Sequence, residues 1–87
     1  MALLDDFNKA AEDVKTLTKR PTNDELLKLY AFFKQATEGD CSGSRPGMFD
    51  LKGRAKFDTW SAQKGLSKDQ AMQNYVALVG HLLKNYR

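Results

Sequence analysis

The stretch from Leu26 to Asp40, LLKLYAFFKQATEGD, decides the fold. Leu26, Leu29, Phe33 and Ala36 recur at helical spacing and mark one apolar face, while Leu27, Tyr30 and Lys34 mark the face beside it. Upstream, Thr22-Asn23-Asp24-Glu25 has the S/T-x-x-E form, in which a hydroxyl and a carboxylate close the first helical turn reciprocally. Asp24 and Glu25 also complement the positive end of the helix dipole. Gly39 suits the left-handed position that ends a helix. From Asp24 to Glu38 is a rod of about 22 Å. Tyr30, Phe32 and Phe33 wrap most of one turn, so they cannot all face the core of so small a protein. Part of that aromatic surface, with Lys34 beside it, is left for a partner.

Similar patterns flank this helix. Leu3, Phe7, Ala10, Val14 and Leu17 form one stripe, widened by Leu4 and Ala11. Asp5 and Asp6 near its start and Lys15, Lys19 and Arg20 near its end match the dipole, and Pro21 stops it. Residues 39–50, GDCSGSRPGMFD, read as a long loop on turn chemistry, with Pro46-Gly47 at the centre of a type II turn and Met48 and Phe49 pinning the loop to the body. Asp50 caps a third helix over Leu51–Lys64, whose pattern is weaker because Gly53 lies within it; Gly65 ends it. Ser67-Lys68-Asp69-Gln70 is a second capping box with Leu66 at the staple position. Met72, Tyr75, Val76, Val79, Leu82, Leu83 and Tyr86 then hold one face of a fourth helix for nearly five turns. No alternating β-branched run occurs. The expectation is an all-α four-helix bundle, one domain over residues 1–87, with its long connection between helices two and three.

Composition bounds the function. No apolar run approaches the roughly 20 residues that cross a bilayer. Asp5-Asp6 directly after Met1-Ala2-Leu3-Leu4 leaves no basic and apolar regions of a signal peptide. Cys41 is the single cysteine, which favours a reducing compartment. The chain therefore reads as a cytoplasmic soluble protein. Residues 1–43 hold six Lys/Arg against eight Asp/Glu, and residues 44–87 hold eight against three. That basic excess, concentrated in Arg45, Lys52, Arg54 and Lys56, points to an anionic partner.

Catalytic patterns are missing. His81 falls on the polar side of helix four, about 200° from Val79. One cysteine and one histidine offer no zinc spacing, and nothing supplies Cys41 with a base. The reading is no enzyme, no metal and no cofactor. Lys52 and Lys56 form an i, i+4 pair of like charges, and Tyr30 and Lys34 put a phenol and an ammonium on one ridge. Two such ridges suit a nucleotide, with phosphates on the lysines and a base stacked on an aromatic ring. From spacing alone, core aromatics and solvated lysines remain the simpler description.

The segments Tyr30-x-x-x-Lys34-Gln35-Ala36-Thr37-x-Gly39-Asp40 and Arg45-Pro46-Gly47-Met48-x-Asp50-x-Lys52-Gly53-x-Ala55-Lys56 strongly resemble the acyl-CoA-binding protein (diazepam-binding inhibitor) family. Further matches are Phe7-x-Lys9-Ala10-Ala11-Glu12-x-Val14-Lys15, Trp60, Lys64-Gly65, Ser67-Lys68, Ala71-Met72 and Tyr75, so the similarity covers essentially the whole chain. The resemblance implies an up-down-down-up bundle and a single acyl-CoA-binding domain that carries medium- and long-chain acyl-CoA without transforming it. It implies that Tyr30, Lys34 and Lys56 hold the ribose 3′-phosphate and adenine end, that Lys15, Lys52 and Tyr75 complete the headgroup site, and that Phe33 flanks the adenine. Leu26, Leu27 and Tyr30 would line the acyl path with Ala11 nearby, and Ala31 and Phe32 belong to the same helix-two segment of the site. It implies a monomer whose other partners are acyl-CoA-using enzymes or membranes, met transiently, and not nucleic acid. Three positions depart from the family pattern: Phe33 and Phe57 replace a usual tyrosine and tryptophan, and Cys41 replaces an aliphatic residue. The resemblance also carries a second reading, a precursor from which the segment Gln35–Lys52 is released to modulate GABA-A receptors.

Overall fold

The computed structural model describes residues 2–87, which form four helices: α1 (Leu3–Asp13), α2 (Asn23–Glu38), α3 (Leu51–Ser61) and α4 (Lys68–Tyr86). Cross-helix contacts fix their directions. Lys56 meets Tyr30 and Lys34 meets Trp60, both rising in number together, so α2 and α3 run parallel. Phe33 meets Tyr75 while Glu25 bonds Tyr86 near the other end, so α4 runs opposite to α2. Phe7 packs on Tyr75, and the Thr18 amide beyond α1 donates to the Tyr86 carbonyl, so α1 runs with α4. This is the up-down-down-up order.

The layers are unequal. α4 packs on α1 and α2, whereas α3 touches only α2 among the described helices. The core cluster of Phe7, Ala10, Leu29, Ala36, Ala71, Tyr75, Val79 and Leu82 contains no α3 residue. Principal extents of 38 × 28 × 15 Å describe a flat molecule, its thin dimension little more than one helix diameter. α3 is therefore held by polar and aromatic contacts at its ends. Trp60, buried near its C-terminus, donates Nε1–H to the Gly39 carbonyl at 2.9 Å. Arg45 grips Asp58 through two parallel bonds of 2.9 and 2.6 Å, tying the long loop to α3. Arg45, counted above among the free cations, is thus neutralised within the fold.

Caps account for the helix starts. Thr22 Oγ1 accepts from the Glu25 amide at 3.2 Å and Glu25 Oε1 from the Thr22 amide at 2.9 Å, a complete capping box. Ser67 caps α4, but only half of that box forms, because Gln70 turns outward to Asn74. Asp50 Oδ1 accepts from the Gly53 amide at 3.0 Å. A Cβ on Gly53 would stand 2.7 Å from the Asp50 Cγ, so the glycine inside this helix makes room for its own cap.

Three other expectations need correction. α1 yields to a 3-10 turn at Val14–Thr16, so Lys19 and Arg20 lie outside it and no basic residue stands in its last turn. The Thr16 hydroxyl bonding back to the Asp13 carbonyl helps close this tighter turn. α3 stops at Ser61 and reaches Gly65 through turns, with Gly65 at a φ of 91°. Pro46-Gly47 does not form a type II turn, since Gly47 has no positive φ; instead the Asp50 amide donates to the Gly47 carbonyl. That register puts Met48 and Phe49 at the corners of the turn, where they are 71% and 95% exposed rather than pinned to the body.

Candidate functional site

Because α3 leans on α2 without entering the core, a cleft of about 440 Å³ opens between the two helices, within the range of small-molecule sites. Leu26, Leu27, Leu51 and Ala55 supply an apolar wall, and Arg20, Lys52 and Lys56 supply cations, with Asn23 between them. Lys52 and Lys56 arrive together because they are one turn apart on α3, and Leu51 and Ala55 repeat that spacing. No acidic group, histidine, thiol or hydroxyl lines the cleft among the described residues. Its chemistry is that of a receptor for a molecule both apolar and anionic.

One turn further along α2, Tyr30 extends the site. Lys56 Nζ stands 5.2 Å from the centroid of its ring, a cation on the face of a phenol. Lys34 follows at the next turn, with Nζ 5.2 Å from the Trp60 ring centroid and paired to Glu38. Its hydrogen bond to Glu38 holds the ammonium above its ordinary pKa. Lys34 is thus already charged and oriented, with an exchangeable anion as partner.

The remaining expected site residues fall into different surroundings. Phe33 stacks tilted on Phe7 at 5.4 Å and edge-on to Tyr75 at 5.8 Å, forming an aromatic trio with Tyr75. Tyr75 is 5% exposed, and burial pushes its phenol pKa up. Phe32 is half-buried against the core cluster. Ala31 has no exposed surface, so it packs beneath the site and presents nothing to the cleft. Lys15 lies in the 3-10 turn after α1, exposed and 3.9 Å from Glu12. Leu27, Lys52, Lys56 and Tyr30 are therefore brought together, Lys34 extends their line, and Lys15, Phe33 and Tyr75 form a separate group toward α1 and α4. Ala11 packs on the core.

Arg20, Asn23, Leu51 and Ala55 line the cleft without having been expected there. The i, i+4 repeats on α3 carried a signal for Leu51 and Ala55. Arg20 carried none, because its position depends on where α1 ends.

A buried polar knot holds the loop that frames this site. Gln35, with no exposed surface, donates Nε2–H to Asp40 Oδ1 and to the Leu66 carbonyl, both at 2.8 Å. Asp40 Oδ1 also accepts from the Gly65 amide at 2.9 Å, and this bond first, then that from Gln35, holds the Asp40 carboxyl below its ordinary pKa. Gly39 adopts φ 85° and ψ −151°, a region open essentially to glycine alone, which lets its carbonyl reach Trp60. The Lys34–Asp40 motif is thus mostly structural: Gln35, Gly39 and Asp40 fasten α2 to the α3–α4 turn. Cys41 beside it is half-buried, its thiol pKa raised by burial, which disfavours the nucleophilic thiolate.

Comparison with known proteins agrees with this architecture. The family model described as acyl CoA binding protein matches residues 4–79. An acyl-CoA-binding protein homolog 1 from Caenorhabditis elegans is 59% identical over 80 residues, covering 92% of this chain and 93% of that protein. The acyl-CoA-binding protein homolog of Drosophila melanogaster is 54% identical with the same coverage. The crystal structure of Oryza sativa acyl-CoA-binding protein 2 superposes with a TM-score of 0.91 at 43% identity, covering 95% of this chain and 92% of that one. A four-helix bundle with a two-sided cleft, a family match along most of its length and relatives above half identity lead to one assignment. The chain belongs to the acyl-CoA-binding protein family.

Proposed function

We propose that this protein binds medium- and long-chain acyl-CoA thioesters reversibly, without transforming them, and so carries and maintains an acyl-CoA pool in the cytoplasm as a monomer. The observation that carries this reading is the cleft between α2 and α3, where an apolar wall and three cations share one opening. An acyl chain suits Leu26, Leu27, Leu51 and Ala55, and phosphates suit Lys52 and Lys56. At the nucleotide end, Tyr30, Lys34 and Lys56 hold the ribose 3′-phosphate and adenine, with the phosphate replacing the Glu38 carboxylate on Lys34. Lys15, Tyr75 and Phe33 complete the headgroup side, and Ala31 and Phe32 support it from beneath. Acyl-CoA-using enzymes or membranes receive the cargo in transient encounters, and nucleic acid is not a partner.

Energetics favour the chain as the main source of affinity. Burying a methylene contributes about 0.8 kcal/mol, whereas an exposed ion pair contributes about 0–1 kcal/mol. Nanomolar binding needs about −12 kcal/mol. About ten shielded methylenes approach this in gross terms, before the costs of association. Release of the Gln35–Lys52 segment, the second reading, has no comparable support, since the Lys34–Gln35 bond lies inside α2 and Gln35 is fully buried.

Mapping of backbone amide shifts on adding dodecanoyl-CoA tests the site. Shifts concentrated at Leu26, Leu27, Leu51 and Ala55 are expected. Shifts confined to the groove between α1 and α4, lined by Asp6, Ala10, Val79 and Leu83, would refute it.

A further inference from the structure

The turn closed by the Asp50 amide on the Gly47 carbonyl lifts three apolar side chains into solvent. Met48 is 71%, Phe49 95% and Leu51 76% exposed. Outside this cluster the other large apolar side chain so exposed is Leu4, on α1. A nearly bare phenylalanine at a turn corner gains nothing for the fold. Around the tip the charge is positive: Lys52, Arg54 and Lys56 follow within two turns of α3, and among the described residues none of them forms an ion pair. Asp50, the nearest carboxylate, is occupied as the α3 cap. Leu51 belongs both to this cluster and to the lining of the α2–α3 cleft, so the apolar tip is continuous with the cleft mouth.

We propose that Met48 and Phe49 dip into the interface of an anionic bilayer while the α3 cations contact its headgroups, seating the cleft mouth on the membrane. The occupant is a lipid surface because the two halves of the feature match the two layers of one. Apolar side chains of this size partition into the acyl boundary, and each basic residue near an anionic surface adds attraction that salt weakens. A cleft opened against the bilayer lets an acyl chain pass between lipid and protein without crossing water. This use of the tip rests on the acyl-CoA reading, but the contact itself is measurable without any cargo.

Co-flotation of the full chain with vesicles provides the test, using phosphatidylcholine alone and phosphatidylcholine mixed with phosphatidylserine. The protein is expected on the anionic vesicles at low salt, displaced by added salt, and scarcely on the neutral ones. Paired Met48→Ser and Phe49→Ser substitutions should weaken this binding about tenfold, about 1.4 kcal/mol, and Arg54→Ala should weaken it further. Titration of the paired variant with soluble dodecanoyl-CoA should match the unaltered protein. Absence of the protein from both vesicle types, or equal binding by the paired variant, overturns the proposal and leaves the tip to a protein partner. Loss of dodecanoyl-CoA affinity in the paired variant would assign the tip to the cargo site instead. Failure of the unaltered protein to bind dodecanoyl-CoA at all would fall on the cargo reading and leave the flotation result standing.

Discussion

Lys56 of α3 places its ammonium 5.2 Å from the centre of the Tyr30 ring on α2, and this pair joins the two walls of the cleft. It is also the point where the apolar lining gives way to the line of groups ending at Lys34. A ligand lying along the cleft must pass it. Lys56→Ala is therefore expected to weaken acyl-CoA binding roughly tenfold to a hundredfold, the range for a hydrogen bond to a charged group. Lys34→Ala should fall in the same range. Arg54→Ala, on a different side of α3, should change calorimetric affinity by far less, and a larger effect there would misplace the headgroup.

Trp60 and Gly39 anchor the far end of α3. Trp60→Phe keeps most of the ring but leaves the Gly39 carbonyl without its donor. A loss of about 1–3 kcal/mol is expected in urea unfolding. Because α3 has no residue in the core cluster, acyl-CoA affinity should fall along with stability.

Thr22→Ala removes the hydroxyl half of the α2 capping box. The expected cost is about 1 kcal/mol in the same unfolding measurement. Glu25 would keep its bond from Tyr86, so the C-terminal turn of α4 should stay docked.

Asp40 makes acid stability a readable property of the polar knot. Hydrogen bonds from Gly65 and Gln35 lower its folded pKa below the ordinary value of the unfolded chain. Between those two values the unfolded chain binds more protons, so this contribution is complete above the ordinary carboxylate range and is lost as pH falls through the folded pKa. Asp58, held low by its bond from Arg45, and Glu25, held low first by the Thr22 amide, act in the same direction. Asp40→Asn should flatten part of the acid limb of stability against pH, measured by thermal unfolding across that window. An unchanged slope would mean that the knot is not titrating.

Much of the helical frame was legible because its determinants are local. Thr22 with Glu25, Asp50 and Ser67 each act within three residues, and the stripe from Met72 to Tyr86 needs only helical period to be read. What escaped depends on distance or on register. Arg45 looked like a free cation because its partner Asp58 lies 13 residues away. Met48 and Phe49 looked like anchors because hydrophobicity alone does not reveal that the turn closes from Gly47 to Asp50. Arg20 joined the cleft only because α1 ends early. At the site, Lys52 and Lys56 were legible as a pair of like charges without an evident local reason, and Tyr30 as an aromatic that the core had no room for. The fully buried Ala31 shows the reverse case, a residue within the right segment whose side chain turns away from the cleft.

Calorimetric titration of the unaltered protein with hexadecanoyl-CoA, coenzyme A and free hexadecanoate tests the central claim most directly. Hexadecanoyl-CoA is expected to bind more than about a thousandfold tighter than coenzyme A, in keeping with chain burial as the larger contribution, and free hexadecanoate scarcely at all. Equal affinities for hexadecanoyl-CoA and coenzyme A would contradict a cleft built to shield the acyl chain.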